Sequence, residues 1–78
     1  MRIITETTLN KACEKHPDAE PSIRAWKKLV KAQDWNSFTD VKATSLFAPD
    51  QVKNFVIFDI GGNKYRLITH INYKAKLI

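Results

Sequence analysis

The chain has 78 residues, with 13 Lys and Arg against 8 Asp and Glu, a formal net charge of +5 and a pI near 9.6. That length holds one small core and excludes a barrel enzyme or a dinucleotide-binding fold. The single cysteine, Cys13, excludes an internal disulfide, and the sequence contains no apolar run of about 18 residues that could span a membrane.

Apolar residues at 44% and charged residues at 27% are ordinary for a folded domain and argue against disorder. Cys13 reads as a small core residue. The opening Met1-Arg2-Ile3-Ile4-Thr5-Glu6 is too short in apolar residues for a signal peptide. Cytoplasmic residence is therefore the expectation. The positive balance on so small a chain predicts an anionic partner such as RNA or DNA.

Arg2-Ile3-Ile4 reads as an edge strand. Thr5 offers a hydroxyl N-cap, with Glu6 favourably placed for the helix dipole. Leu9, Ala12, Cys13 and His16 recur at i, i+3, i+4 and i+7, which predicts a helix over residues 6–16, ended by Pro17. Asp18 is expected to cap a second helix with Pro21 in its first turn. Ile23, Trp26 and Val30 form its apolar stripe, extended by Ala19 and Gln33. Arg24, Lys27, Lys28 and Lys31 lie off that stripe, as a solvated basic face.

Residues 34–54 are less periodic. Trp35 and Phe38 are expected to pin the connection to the core, with a short helical turn over residues 37–41. Ala48-Pro49-Asp50-Gln51 reads as a turn. Phe55-Val56-Ile57-Phe58-Asp59-Ile60 is a strand, apolar on both faces. Gly61-Gly62-Asn63 is a hairpin turn, since glycine and asparagine tolerate positive φ. Tyr65 to Tyr73 is the return strand. Lys74-Ala75 reads as another turn, and Lys76-Leu77-Ile78 as the opening of a further strand.

On the return strand Tyr65, Leu67, Thr69, Ile71 and Tyr73 share one face, and Arg66, Ile68, His70 and Asn72 share the other. The first set is expected to pack on the helices. Arg66 and His70 lie about 13 Å apart at Cα on the second face. Arg supplies a fixed charge and paired donors for phosphate oxygens. His exchanges a proton near neutral pH. RNA brings its own nucleophile, the 2′-hydroxyl, so such a face could cleave it without a metal or other cofactor. The bland alternative stays open: Arg66 as an ordinary surface residue and His70 as a half-buried one. Cys13, His16 and His70 lack zinc-site spacing, and the glycine pair precedes a strand, not a phosphate-binding helix.

The run Phe55 to Ile68, above all its strand, Gly-Gly-Asn turn and following Arg66-Leu67-Ile68, resembles the HigB toxins, a branch of the RelE-like mRNA interferases. An Ile-Ile-Thr opening, a helix ending at His16-Pro17 and a second helix carrying a Trp extend the resemblance over essentially the whole chain. It implies a single α+β domain over residues 1–78, with two N-terminal helices packed on a small, twisted, mainly antiparallel sheet. It implies an endoribonuclease that cuts messenger RNA, generally on the ribosome. It also implies a HigA-type helix-turn-helix antitoxin as partner. Arg66 matches the family arginine that contacts the scissile phosphate, and Lys53 and Lys64 are candidates for flanking phosphates. His70 matches no family catalytic residue and is a candidate acid or base on chemistry alone. The family runs on into a segment resembling Thr-His-Lys-Glu-Tyr. These 78 residues are thus expected to be C-terminally incomplete, with weak cleavage or none. The competing expectation is a non-catalytic domain that binds RNA or protein through the same basic face.

Overall fold

In a computed structural model, described over residues 1–44, 47–62 and 64–78, two helices and a short third are followed by a three-stranded sheet. Helix α1 spans Glu6–Lys15 with Leu9 buried, while Ala12 and Cys13 pack partly against the core. It stops one residue short of the expected end. Proline disfavours helical backbone in the residue before it, and His16 accordingly sits at φ −129°, ψ 75°. Thr5 occupies the N-cap without a side-chain capping bond.

Pro17–Ala19 forms a 3-10 turn, and helix α2 spans Glu20–Lys31. Asp18 does not cap α2, as the sequence pattern suggested. Ala19 holds the N-cap position without a side-chain bond, and the Asp18 carboxylate turns to the sheet instead. Ile23, Trp26 and Val30 are buried as expected. Two of the off-stripe cations tie the helices together: Lys27 donates to Asn10 at 2.8 Å, and Lys31 to Glu6 at 2.7 Å. The chain's amino terminus donates to the carbonyls of Val30 and Gln33, where a cation complements the exposed carbonyls at the end of α2.

Helix α3, Phe38–Ala43, is the predicted short turn lengthened at its C-terminal end, and it buries Val41. The Asp50-Gln51 part of the expected turn is instead a strand. Strand β1, Asp50–Val52, pairs antiparallel with β2, Phe55–Ile60, through a two-residue turn at Lys53-Asn54. Strand β3, Tyr65–Thr69, pairs antiparallel with β2 from Val56↔Thr69 to Ile60↔Tyr65. The sheet order is β1-β2-β3. Gly61 and Gly62 both take φ 64° in the β2–β3 turn. Asn63, the third residue of the expected turn signal, lies outside the described residues.

The return strand is shorter than the expected run to Tyr73. Beyond Thr69 the chain passes the buried Ile71 and closes a small hairpin at an isolated bridge, Asn72↔Leu77. Its turn is fixed by the Asn72 side chain, whose Oδ1 accepts the Ala75 amide at 2.9 Å. The expected N-terminal edge strand is likewise a single parallel bridge, Arg2↔Leu77.

One sheet face carries the core. Val56, Phe58 and Ile60 are buried under α2 and the α2–α3 connection. Phe58 meets the Trp26 ring edge-on at 5.5 Å and stacks on Trp35 at 6.4 Å, so Trp35 anchors the connection as expected. Among the described residues no helix covers the other face, and the candidate site lies there.

Candidate functional site

Strand pleating fixes which side chains reach the open face. With Val56, Phe58 and Ile60 turned inward, Phe55, Ile57 and Asp59 point out from β2. With Tyr65, Leu67 and Thr69 half-buried, Arg66 and Ile68 point out from β3. The register then sets the pairs. Asp59 faces Arg66 and Ile57 faces Ile68; continuing it by one residue sets Phe55 beside His70. On β1, Asp50 lies beside Ile57 and Val52 beside Phe55.

Arg66 is 71% exposed along its side chain, and its Nε lies 3.5 Å from Asp59 Oδ1. With its guanidinium end open to solvent and a separation this long, the pair is worth about 1 kcal/mol or less. Asp59 therefore orients the guanidinium without sequestering it. An incoming phosphate, which binds a guanidinium through two parallel hydrogen bonds, can displace it. His70 is exposed just beyond β3, its ring 6.3 Å from that of Phe55 at an interplanar angle of 72°. Arg66 and His70 thus stand on one face, separated by the Ile57–Ile68 pair.

The two lysines fall at opposite ends of β2. Lys53 lies in the β1–β2 turn, two residues before Phe55, which is itself about 13 Å along the strand from the Asp59–Arg66 pair. Lys64 lies beside Arg66, but its Nζ is held 2.6 Å from Asp18 Oδ2 and 5.5 Å from the centre of the Tyr65 ring. The Tyr65 hydroxyl also donates to Asp18. The hydrogen bond from Lys64, then that from Tyr65, holds the Asp18 carboxyl below its ordinary 3.8. The same Asp18 bond raises Lys64 above 10.5 and Tyr65 above 10.0. Lys64 thus serves a structural clamp in this conformation.

Behind that clamp a cleft of about 230 Å³ opens between α1 and the sheet, lined by Leu9, Ala12, His16, Ile23, Tyr65 and Arg66 among others. His16 packs against Tyr65 with ring centres 4.9 Å apart. Two features of this region are absent from the sequence reading. One is the Asp18–Lys64–Tyr65 cluster, which joins positions 46 and 47 residues apart and has no local signature. The other is Phe55, which is 47% exposed. Its signal was present, since an inward Val56, Phe58 and Ile60 forces Phe55 out.

Among the described residues, no three His, Cys, Asp or Glu side chains gather as a metal site, and no helix is long and apolar enough to cross a membrane. No curated protein matches the sequence. The profile of the HigB toxins, the RelE-like toxic component of a toxin-antitoxin system, matches residues 19–78, from the end of the 3-10 turn through α2, α3 and the whole sheet. Helices packed on one face of an antiparallel sheet agree with the α+β arrangement of that family. The matched segment includes the open face that carries Arg66, and the chain belongs to the HigB toxin family, with an antitoxin as its implied partner.

Proposed function

We propose that this toxin is an mRNA interferase that acts in the cytoplasm on ribosome-associated message and is neutralised by a HigA-type antitoxin. One observation carries the reading: Arg66 projects, 71% exposed, from a sheet face that no helix among the described residues covers, inside the segment matched to the family. A phosphodiester laid on that face meets a fixed cation where charge builds on its non-bridging oxygens.

The chemistry needs no metal. The 2′-hydroxyl of the substrate attacks the adjacent phosphorus as the bond to the 5′-oxygen breaks. The hydroxyl proton passes to a base, and the leaving oxygen takes up a proton. Arg66 stabilises the charged phosphorane, and His70, on the same face, is the candidate to accept the proton and return it. Lys53 sits where it would neutralise a phosphate farther along the strand. Lys64 joins only by leaving Asp18.

The test is expression of the chain with and without Arg66→Ala. The substitution is expected to weaken RNA binding and to remove whatever growth inhibition and message cleavage the parent chain shows, while circular dichroism stays unchanged, because the side chain is 71% exposed. Chelation of divalent ions should leave cleavage intact. An Arg66→Ala chain as toxic as the parent would overturn the reading.

A further inference from the structure

We propose that Phe55 is a base-stacking platform, on which a base of single-stranded RNA lies while a neighbouring phosphate is held at Arg66. The inference rests on the ribonuclease reading above and adds the element that grips the base.

Large aromatic side chains are normally buried, and Phe55 is 47% exposed on a strand whose other phenylalanine, Phe58, is fully enclosed. Its exposure follows from the register and not from a frayed end. Phe55 pairs with Val52 in β1 and stands directly beside His70 across β2 and β3. The near-perpendicular contact with His70 occupies at most one face of the ring. Nucleic-acid bases stack on such rings whatever their identity, because every base has a π-face.

The neighbours match an extended nucleotide strand. Lys53 lies in the turn just before Phe55, and Arg66 stands about 13 Å away along the sheet, a distance that an extended dinucleotide covers. Between them Ile57 and Ile68 present an apolar floor, with Ile68 64% exposed. Two acidic groups share the face. Asp59 is matched by Arg66, and Asp50 sits on the edge strand beside Ile57. With the positive charge so reduced, stacking must supply a larger share of the grip than it would on a strongly basic groove.

The experiment measures binding of a short single-stranded RNA carrying 2′-O-methyl groups, which is held but not cut, with a fluorescent base analogue at successive positions. Phe55→Ala and Phe55→Leu should each weaken binding roughly 5- to 100-fold and remove the stacking-induced quench at one position. Phe55→Trp should retain both. Because Phe55 is exposed, all three chains are expected to fold with an unchanged melting temperature. Phe55→Leu binding as tightly as the parent would overturn the proposal, since the site would then need only an apolar surface. Loss of antitoxin binding with RNA affinity unchanged would also overturn it and assign the patch to the protein partner. If Arg66→Ala weakens RNA binding and Phe55→Ala does not, the platform fails and the ribonuclease reading stands. If the parent chain binds no RNA, both fail.

Discussion

The Tyr65 hydroxyl lies 2.9 Å from Oδ1 and 3.0 Å from Oδ2 of Asp18 and donates its hydrogen bond to that carboxylate. Tyr65 opens β3, while Asp18 sits in the 3-10 turn that leads into α2. With Lys64 on the same carboxylate, the pair closes the helical layer onto the strand that carries Arg66.

This clamp predicts a particular pH dependence. Asp18 titrates below its ordinary 3.8 in the folded chain, mainly through the Lys64 bond and then the Tyr65 bond. Its contribution is therefore present above about pH 4 and is lost as pH falls through the lowered folded value. Glu6, lowered by the hydrogen bond from Lys31, acts in the same sense below 4.5. Lys64 and Tyr65 are raised by Asp18, so their contribution is present below about pH 10 and is lost as pH rises through the folded values. Thermal melts of the parent and Asp18→Asn should differ at neutral pH and converge toward about pH 2. A gap that stays constant over that range would show that Asp18 is not ionised in the clamp.

The β2–β3 turn separates backbone cost from steric cost. Gly61 and Gly62 share φ 64°, a conformation that costs an L-residue about 1–2 kcal/mol. A Cβ on Gly62 meets nothing within 4 Å, whereas one on Gly61 meets Tyr65 Cδ2 at 3.4 Å. Gly62→Ala should therefore lose about 1–2 kcal/mol and Gly62→Asn less, since asparagine tolerates this region. Gly61→Ala should lose at least as much as Gly62→Ala and also disturb Tyr65. Urea denaturation of the three variants checks the order.

Phe55 and Phe58 occupy one strand and opposite faces. Phe58 is fully buried between Trp26 and Trp35. Phe58→Ala should cost about 3–5 kcal/mol, a large share of the roughly 5–15 kcal/mol available to a domain. Phe55→Ala should stay within about 0.5 kcal/mol of the parent. A large loss at Phe55 would mean that its ring supports the fold and is not displayed by it.

Legibility in the sequence tracks how local each determinant is. The Leu9 and Ile23-Trp26-Val30 stripes, the β2 run and the inward set Tyr65-Leu67-Thr69 depend on periodicity within one element, and the structure follows them. Strand β1 was hidden because Pro49-Asp50 carries a turn signature, and three exposed residues have no alternation to read. Its pairing with β2 decides the conformation. Asp18 has the ideal residue type for a helix cap, but Lys64 and Tyr65, distant in sequence, offer its carboxylate a better set of donors. Strand alternation alone predicts that Arg66 points away from the core, and the burial of β3 agrees. Placing Lys53 at the far end of β2, Lys64 on Asp18 and Phe55 beside His70 required the strand register, which no single segment encodes.

The Asp59–Arg66 pair yields the sharpest electrostatic prediction. If Arg66 neutralises one RNA phosphate, Arg66→Ala should lower affinity and reduce the slope of log K against log salt by about 0.7 for a single strand. Asp59→Asn removes the competing carboxylate 3.5 Å away and should leave affinity unchanged or raised, with the parent salt slope retained. Because the guanidinium end of the pair is open to solvent, Arg66→Ala should move stability by no more than about 1 kcal/mol. Titration of labelled RNA at several salt concentrations distinguishes the outcomes. Equal slopes for the parent and Arg66→Ala would mean that the guanidinium makes no phosphate contact. Weakened binding in Asp59→Asn would mean that the carboxylate aims Arg66 at its ligand instead of competing for it.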